Sequence, residues 1–232
     1  MDINNQKYKL DHRLRIKPDD LAFHIHNYDV DLVSNHIYLM GMDRGYEVNG
    51  WGENGVDYLL SKRFIQNLGL CMRANEGKPI VILMKTCGGD FNEGMAIYDA
   101  IKSCPSKVTI LNYTHARSMS SIIFQAGDKR VMMPHSHFMF HDGTYADEGT
   151  VKQVKSGLDF YSKIGTSTML DIYSEKMAGK GDFKEQPISK IKKWLRYQMD
   201  KKEDVYLTAE ETIYLGLADE IFNYDWSSLT NY

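Results

Sequence analysis

Apolar positions along this chain switch repeatedly between two spacings, and the switches divide it into elements. His36 to Met40 (HIYLM) is a short strand closed by Gly41, and the glycine-rich stretch Gly45 to Gly55 reads as a loop. From Val56 onward, Leu59, Leu60, Phe64, Ile65, Leu68 and Met72 recur at helical spacing, which predicts an amphipathic helix of about four turns. Pro79 to Met84 (PIVILM) is apolar at every position, as expected of a parallel strand buried on both faces. It runs into Thr86-Cys87-Gly88-Gly89. Asp90 and Glu93 follow at the spacing of a helix cap and its reciprocal partner, opening a helix that carries Met95, Tyr98 and Ile101 inward. Val108 to Tyr113 is a second strand leading through Thr114-His115-Ala116-Arg117 to Ser118. The next helix holds Met119, Ile122, Ile123 and Ala126 and stops at Gly127. A third strand region, Arg130 to Phe140, ends at His141-Asp142-Gly143.

Strand and helix alternate, so the fold class is α/β, with a mainly parallel sheet, right-handed crossovers and helices on its faces. Beyond Gly149, Val151, Val154, Leu158, Tyr161, Met169, Ile172 and Tyr173 predict long helical segments, followed by a Gly179-Lys180-Gly181 loop and a second helix from about Ile188 to Met199. A long projecting helix pair of this kind contacts another subunit. Thr208-Ala209-Glu210-Glu211 is a second capping box, opening a short helix that stops at Gly216 before a terminal strand, Ala218 to Phe222. The first thirty residues have no clear period and form an extension, in which Pro18-Asp19-Asp20 is a turn or helix start. Residues 31–222 form one domain, and 223–232 a tail. No internal repeat or low-complexity segment is evident.

Composition narrows the function. With 232 residues, 43% of them hydrophobic and 25% charged, the chain is that of a globular protein able to bury a large core. The net charge of −3 and the alternation of Lys190, Lys192, Lys193 and Arg196 with Ile191, Trp194 and Leu195 read as a solvated helix face, with no nucleic acid as partner. Cys71, Cys87 and Cys104 are too few and too scattered for a disulfide framework or zinc ribbon, which fits a reducing compartment. The start, Met-Asp-Ile-Asn-Asn-Gln, lacks the regions of a signal peptide, and no segment approaches the roughly 18 consecutive apolar residues a membrane helix needs. The expected location is cytoplasmic, with no membrane partner.

In open α/β sheets reactive groups gather beyond the carboxyl ends of the strands, and Gly88-Gly89, Ser118 and His141 all fall there. A serine hydroxyl becomes a nucleophile when a base takes its proton and a third group orients that base. Ser118, His141 and a downstream carboxylate can supply the three. At a helix start Ser118 would also lie beside free backbone N–H groups, the N–H of Met119 being one donor for an oxyanion and that of Gly89 a second.

Four blocks carry a resemblance to a known family: CGGDFNEGMAIYD (87–99), ARSMSS (116–121), MFH (139–141), and DVYLTAEE (204–211) followed by YLGLAD (214–219). In order and spacing they resemble the proteolytic subunits of the Clp protease, ClpP, over about residues 30–222. By this resemblance Ser118 matches the nucleophile, His141 the general base, Asp204 the orienting acid, and Gly89 and Met119 the oxyanion donors. It also implies a crotonase-like spiral of β-α units with a projecting helical handle over about 146–200. The implied function is a serine endopeptidase acting on peptides or unfolded proteins inside a homo-oligomer, a heptameric ring or stacked double ring. An AAA+ unfoldase is the implied partner, ATP being used only there, with no cofactor on this chain. The chain departs from the family pattern at Cys87 (usually Pro), Arg117 (usually small), Thr114 (usually Gly) and Asp142-Gly143 (usually Gln-Pro), and it is longer between His141 and Asp204.

Other readings stay open at this level. His135, His137 and His141 share strand parity and could bind a metal, although Pro134 interrupts the strand. Cys87 is an alternative nucleophile, but precedes the glycine turn and does not open a helix. A catalytically silent structural or regulatory ring subunit is the alternative function, and an acyl-CoA enzyme on the same fold a third.

Overall fold

The computed structural model describes residues 18–41 and 55–232. Residues 1–17 of the expected extension and residues 45–54 of the expected loop lie outside them. The chain runs α1 (Pro18–Tyr28), β1 (Val30–Asp31), β2 (His36–Met40), α2 (Tyr58–Ala74), β3 (Ile80–Thr86), α3 (Phe91–Lys102), β4 (Val108–Arg117) and α4 (Met119–Phe124). It continues with β5 (Lys129–Met132), β6 (His137–Phe140), α5 (Val151–Met177), α6 (Ile188–Lys202), β7 (Val205–Thr208), α7 (Ala209–Tyr214) and β8 (Glu220–Ile221).

The eight strands among the described residues form one sheet whose main path is β1-β2-β3-β4-β5-β8, with β6 pairing β4 and β7 off that path. All contacts are parallel except β1 with β2 and β6 with β7. The expected third strand region is therefore two strands. Pro134, which has no N–H for a ladder, falls in the turn between them.

β3 shows why its sequence is apolar at every position. Ile80, Ile82 and Met84 face the main core with Phe64 and Leu68 of α2, Ile97 of α3 and Ile123 of α4. Val81 and Leu83 belong to a second cluster on the opposite face, with Leu111, Val131, Phe222 and Leu229. The segment after β8, expected only as a tail, closes that second face. It folds into a 3-10 turn (Trp226–Thr230), Leu229 is fully buried, and the buried Thr109 hydroxyl lies 2.6 Å from the Leu229 carbonyl.

Several local expectations change on packing. Asp90 caps α3 by accepting from the Glu93 N–H at 2.9 Å, but the reciprocal half is not made, because the Glu93 carboxylate is held by the Ser61 hydroxyl on α2. Thr208 and Glu211 make a complete capping box, and Thr150 and Gln153 make another at the start of α5. On α3 the fully buried positions are Gly94, Ile97 and Ile101, with Met95 and Tyr98 at the margin. On α2, Leu59 and Ile65 point to solvent, while Leu60, Phe64, Leu68 and Cys71 are buried. In α5 burial begins only at Met169; Val151, Leu158, Phe160 and Ile164 stay exposed, so the first half of this helix projects.

Truncation of the Leu229 side chain tests the packing of the last residues. Leu229→Ala should destabilise the protein by about 2–5 kcal/mol, read as a lower urea midpoint with the m-value retained. An unchanged midpoint would mean that the second cluster does not depend on this segment.

Candidate active site

The carboxyl end of β4 passes into α4 through Ser118, whose backbone adopts φ 52° and ψ −128°, a conformation rarely tolerated by a residue with a Cβ. Such a conformation costs on the order of 1–3 kcal/mol and persists only where its surroundings enforce it. Here they do. The Ser118 N–H donates to the Met139 carbonyl on β6 at 3.0 Å, and the Ser118 carbonyl accepts from both the N–H (3.0 Å) and the hydroxyl (2.5 Å) of Ser121. Because Ser121 has spent its one hydroxyl proton there, it accepts from the Tyr173 hydroxyl at 2.6 Å. Tyr173, on α5, is fully buried, and burial pushes its phenol well above the ordinary value.

A serine at a helix start ordinarily caps the helix, but Ser118 makes no side-chain cap bond to α4. Its Oγ lies 2.7 Å from His141 Nε2, and His141 Nδ1 lies 3.0 Å from Asp204 Oδ1. With Nδ1–H donating to the carboxylate, Nε2 is left to accept the Ser118 hydroxyl proton. His141 is the first residue beyond β6, and Asp204 the one before β7. The antiparallel register Phe140↔Val205 sets the two side by side. The β7 strand was not anticipated, although the alternation of Val205-Tyr206-Leu207-Thr208 carries its signature: Val205 and Leu207 are buried, Tyr206 and Thr208 exposed.

Gly88 and Gly89 have φ of 98° and 149°, values that side chains disfavour. A Cβ on Gly88 would stand 2.8 Å from the Ser118 Cβ and 2.9 Å from the Met119 nitrogen, so the turn lies directly against the serine. Met119 is the first residue of α4, where helix geometry leaves its N–H without an intrahelical acceptor. All five residues singled out from the sequence, Ser118, His141, Asp204, Gly89 and Met119, thus fall together, beyond the carboxyl ends of β3, β4 and β6 and before the amino end of the antiparallel β7.

The remaining candidates separate. His135 is exposed, and His137 packs instead against His115 at a ring distance of 5.5 Å and against Tyr206 at 5.9 Å. Among the described residues no three metal-ligating side chains converge. None of the three cysteines is in a disulfide; burial, then the charges of Asp31 and Cys104, push Cys71 up to about 12. Asp142 is tied to the helix pair, accepting from Arg196 Nη1 on α6 at 2.9 and 2.8 Å and from the Thr166 hydroxyl on α5 at 3.3 Å. Lys192 pairs with Asp171, while Ile191 and Leu195 are buried, so the basic run is the solvated face of α6.

A family model described as Clp protease matches residues 53–225. The chain is similar to the ATP-dependent Clp protease proteolytic subunit 3 of Synechococcus sp. (strain CC9902), 30% identical over 65% of this chain and 70% of the relative. It is also similar to the ATP-dependent Clp protease proteolytic subunit of Chlorella vulgaris (29%; 67% and 73%) and to that of Deinococcus radiodurans (26%; 72% and 76%).

Two histidines at the starts of β2 and β6 make stability sensitive to acid. Burial, and then Arg117, lower the His137 pKa; burial lowers that of His36 against the opposing charge of Asp31. Both bind protons less readily folded than unfolded, so their effect is absent at high pH, and stability falls as pH drops below the ordinary histidine value of about 6.5. Urea midpoints between pH 7.5 and 5.5 should therefore fall less in a His36→Gln/His137→Gln variant than in wild type. An equal fall in both would remove these side chains as the cause.

Proposed function

The chain belongs to the Clp protease family, and from that premise we propose that it is a serine endopeptidase hydrolysing peptide bonds through an acyl-enzyme on Ser118. The observation that carries the reading is the continuous hydrogen-bonded chain Ser118 Oγ, His141, Asp204, on a serine that leaves its helix uncapped. His141 Nε2 takes the hydroxyl proton as Oγ attacks the substrate carbonyl, and Asp204 stabilises the imidazolium that forms. The negative charge on the carbonyl oxygen is met by the N–H groups of Met119 and Gly89. His141 then gives its proton to the departing amine. A water molecule, deprotonated by the same imidazole, attacks the ester and releases the carboxylate product and the serine. No cofactor enters these steps.

The relatives are proteolytic subunits of an ATP-dependent protease. By that likeness this chain assembles into an oligomeric ring, a heptamer or a stacked pair, and receives unfolded chains from an ATP-driven AAA+ partner. The exposed apolar residues Val151, Leu158, Phe160 and Ile164 on projecting α5 support self-association. No helix among the described residues is long and apolar enough to cross a membrane, and the proposed location is cytoplasmic.

Intact-mass measurement after treatment with a fluorophosphonate should show a single adduct on wild type and none on Ser118→Ala, with peptide hydrolysis lost in parallel and assembly retained. Turnover persisting in Ser118→Ala would end the assignment, and an assembled wild type that forms no adduct would favour a catalytically silent ring subunit. His141→Ala should likewise lose adduct formation and peptide hydrolysis, and a variant that keeps both would exclude His141 as the base.

A further inference from the structure

We infer that Gly55 and Val56 are positioning residues for the reaction, holding the Gly88-Gly89 turn so that the Gly89 N–H faces the oxyanion; this rests on the serine peptidase reading above. Val56 is buried and lies just before α2, far in sequence from the turn, yet it forms an isolated parallel bridge with Gly89. The Val56 N–H donates to the Gly88 carbonyl at 2.6 Å, and the Asp90 N–H donates to the Val56 carbonyl at 2.8 Å. In a parallel bridge of this kind, the groups on either side of the central residue turn toward the partner and its own N–H turns away. Gly89's N–H is therefore directed away from Val56. The turn touches Ser118 and the Met119 nitrogen through Gly88.

Three close approaches show how little play the arrangement has. A Cβ on Gly89 would overlap the Val56 backbone, one on Gly88 would strike Ser118, and one on Gly55 would stand 2.5 Å from the Gly88 carbonyl oxygen. The far side of the segment is anchored as well. Asp57 accepts from the Leu60 N–H at 2.9 Å and caps α2, and Ser61 on α2 donates to Glu93 in the first turn of α3, just beyond Gly89. α2 is thereby tied to the turn from both sides. Gly55 is not at positive φ, so a methyl there acts through the Gly88 carbonyl and not through strain of its own backbone.

Gly55→Ala tests this in the assembled full-length protein, with Gly69→Ala, whose methyl would meet nothing within 4 Å, as the control. A displaced oxyanion donor should lower kcat for peptide hydrolysis by about ten-fold or more with KM little changed. Affinity for a peptide boronate, which forms a tetrahedral adduct on the serine, should weaken by a similar factor. The pH midpoint of the rate should not move, because His141 and Asp204 approach Ser118 from other strands, β6 and β7. Wild-type kcat and boronate affinity in a folded Gly55→Ala protein would overturn the inference. Should that variant fail to fold, hydrogen exchange on wild type decides: Val56 and Asp90 amides protected together support the clamp, and rapid exchange at either rejects it. Turnover surviving in Ser118→Ala would instead defeat the peptidase reading itself.

Discussion

β4 changes neighbours partway along its length, and the site exists because of that change. From Thr109 to Asn112 it pairs with β5, and from His115 to Arg117 with β6. Against β3, the step from Met84 to Thr86 is matched on β4 by a step from Asn112 to Ala116, so β4 carries extra residues at the point of divergence. A bulge of this kind bends a strand and increases its twist. Asn112, fully buried at the fork, donates to the His137 carbonyl at 3.3 Å and fastens the first residue of the branching strand. The branch delivers His141 at the end of β6 and, through the antiparallel partner β7, Asp204. Had β4 run on beside β5, Ser118 would have no base.

The two halves of the candidate site are held by different physics. Ser118 sits in a buried frame: Met139, Ser121 and Tyr173 fix its backbone, and Phe124, Phe138 and Phe140 fill the space around. Arg130 locks the far end of α4, bonding Gln125 at 2.7 Å while gripping Asp219 through Nε (3.0 Å) and Nη2 (2.6 Å). This frame sustains a strained turn because relaxing it would break several buried hydrogen bonds together. His141 and Asp204 are more open, with side chains 18% and 44% exposed. Their alignment comes from strand register, not enclosure.

How much of this could be read from residues alone follows from the range of the interactions. The β3 strand and the break after Ser118 were legible because they rest on local pattern: a run with no polar position, and a serine opening an apolar helix. The split at Pro134 was visible as an interruption, but its consequence, a second neighbour for β4, depends on pairing between distant strands. β7 was overlooked for a similar reason: four alternating residues beside a capping box are too few to outweigh the helix signal that follows. Glu93 illustrates the converse. Its spacing from Asp90 is that of a capping box, yet Ser61, 32 residues earlier, takes its carboxylate. On α2, apolar spacing identified the helix, but not that Leu59 and Ile65 would lie on its solvent side. Periodicity places a residue on a helix; only packing says which of two apolar stripes is covered.

The departure at Asp142, where the family pattern has Gln, can be understood through the same packing. Asp142 brings a carboxylate to the position immediately after the candidate base. The chain answers it with Arg196, whose Nη1 reaches both carboxylate oxygens, and with the Thr166 hydroxyl. These partners come from α6 and α5, so the charge that Asp142 introduces also fastens the segment leaving β6 to the helix pair. An ion pair this exposed contributes only about 0.2–1 kcal/mol, too little to matter for global stability. Its effect is local: α6 ends at Lys202, two residues before Asp204, so the pair links the main chain just after the base to the helix just before the acid. The basic run on α6 thereby does more than keep a helix face solvated, since one of its members, Arg196, pairs with the acid beside His141.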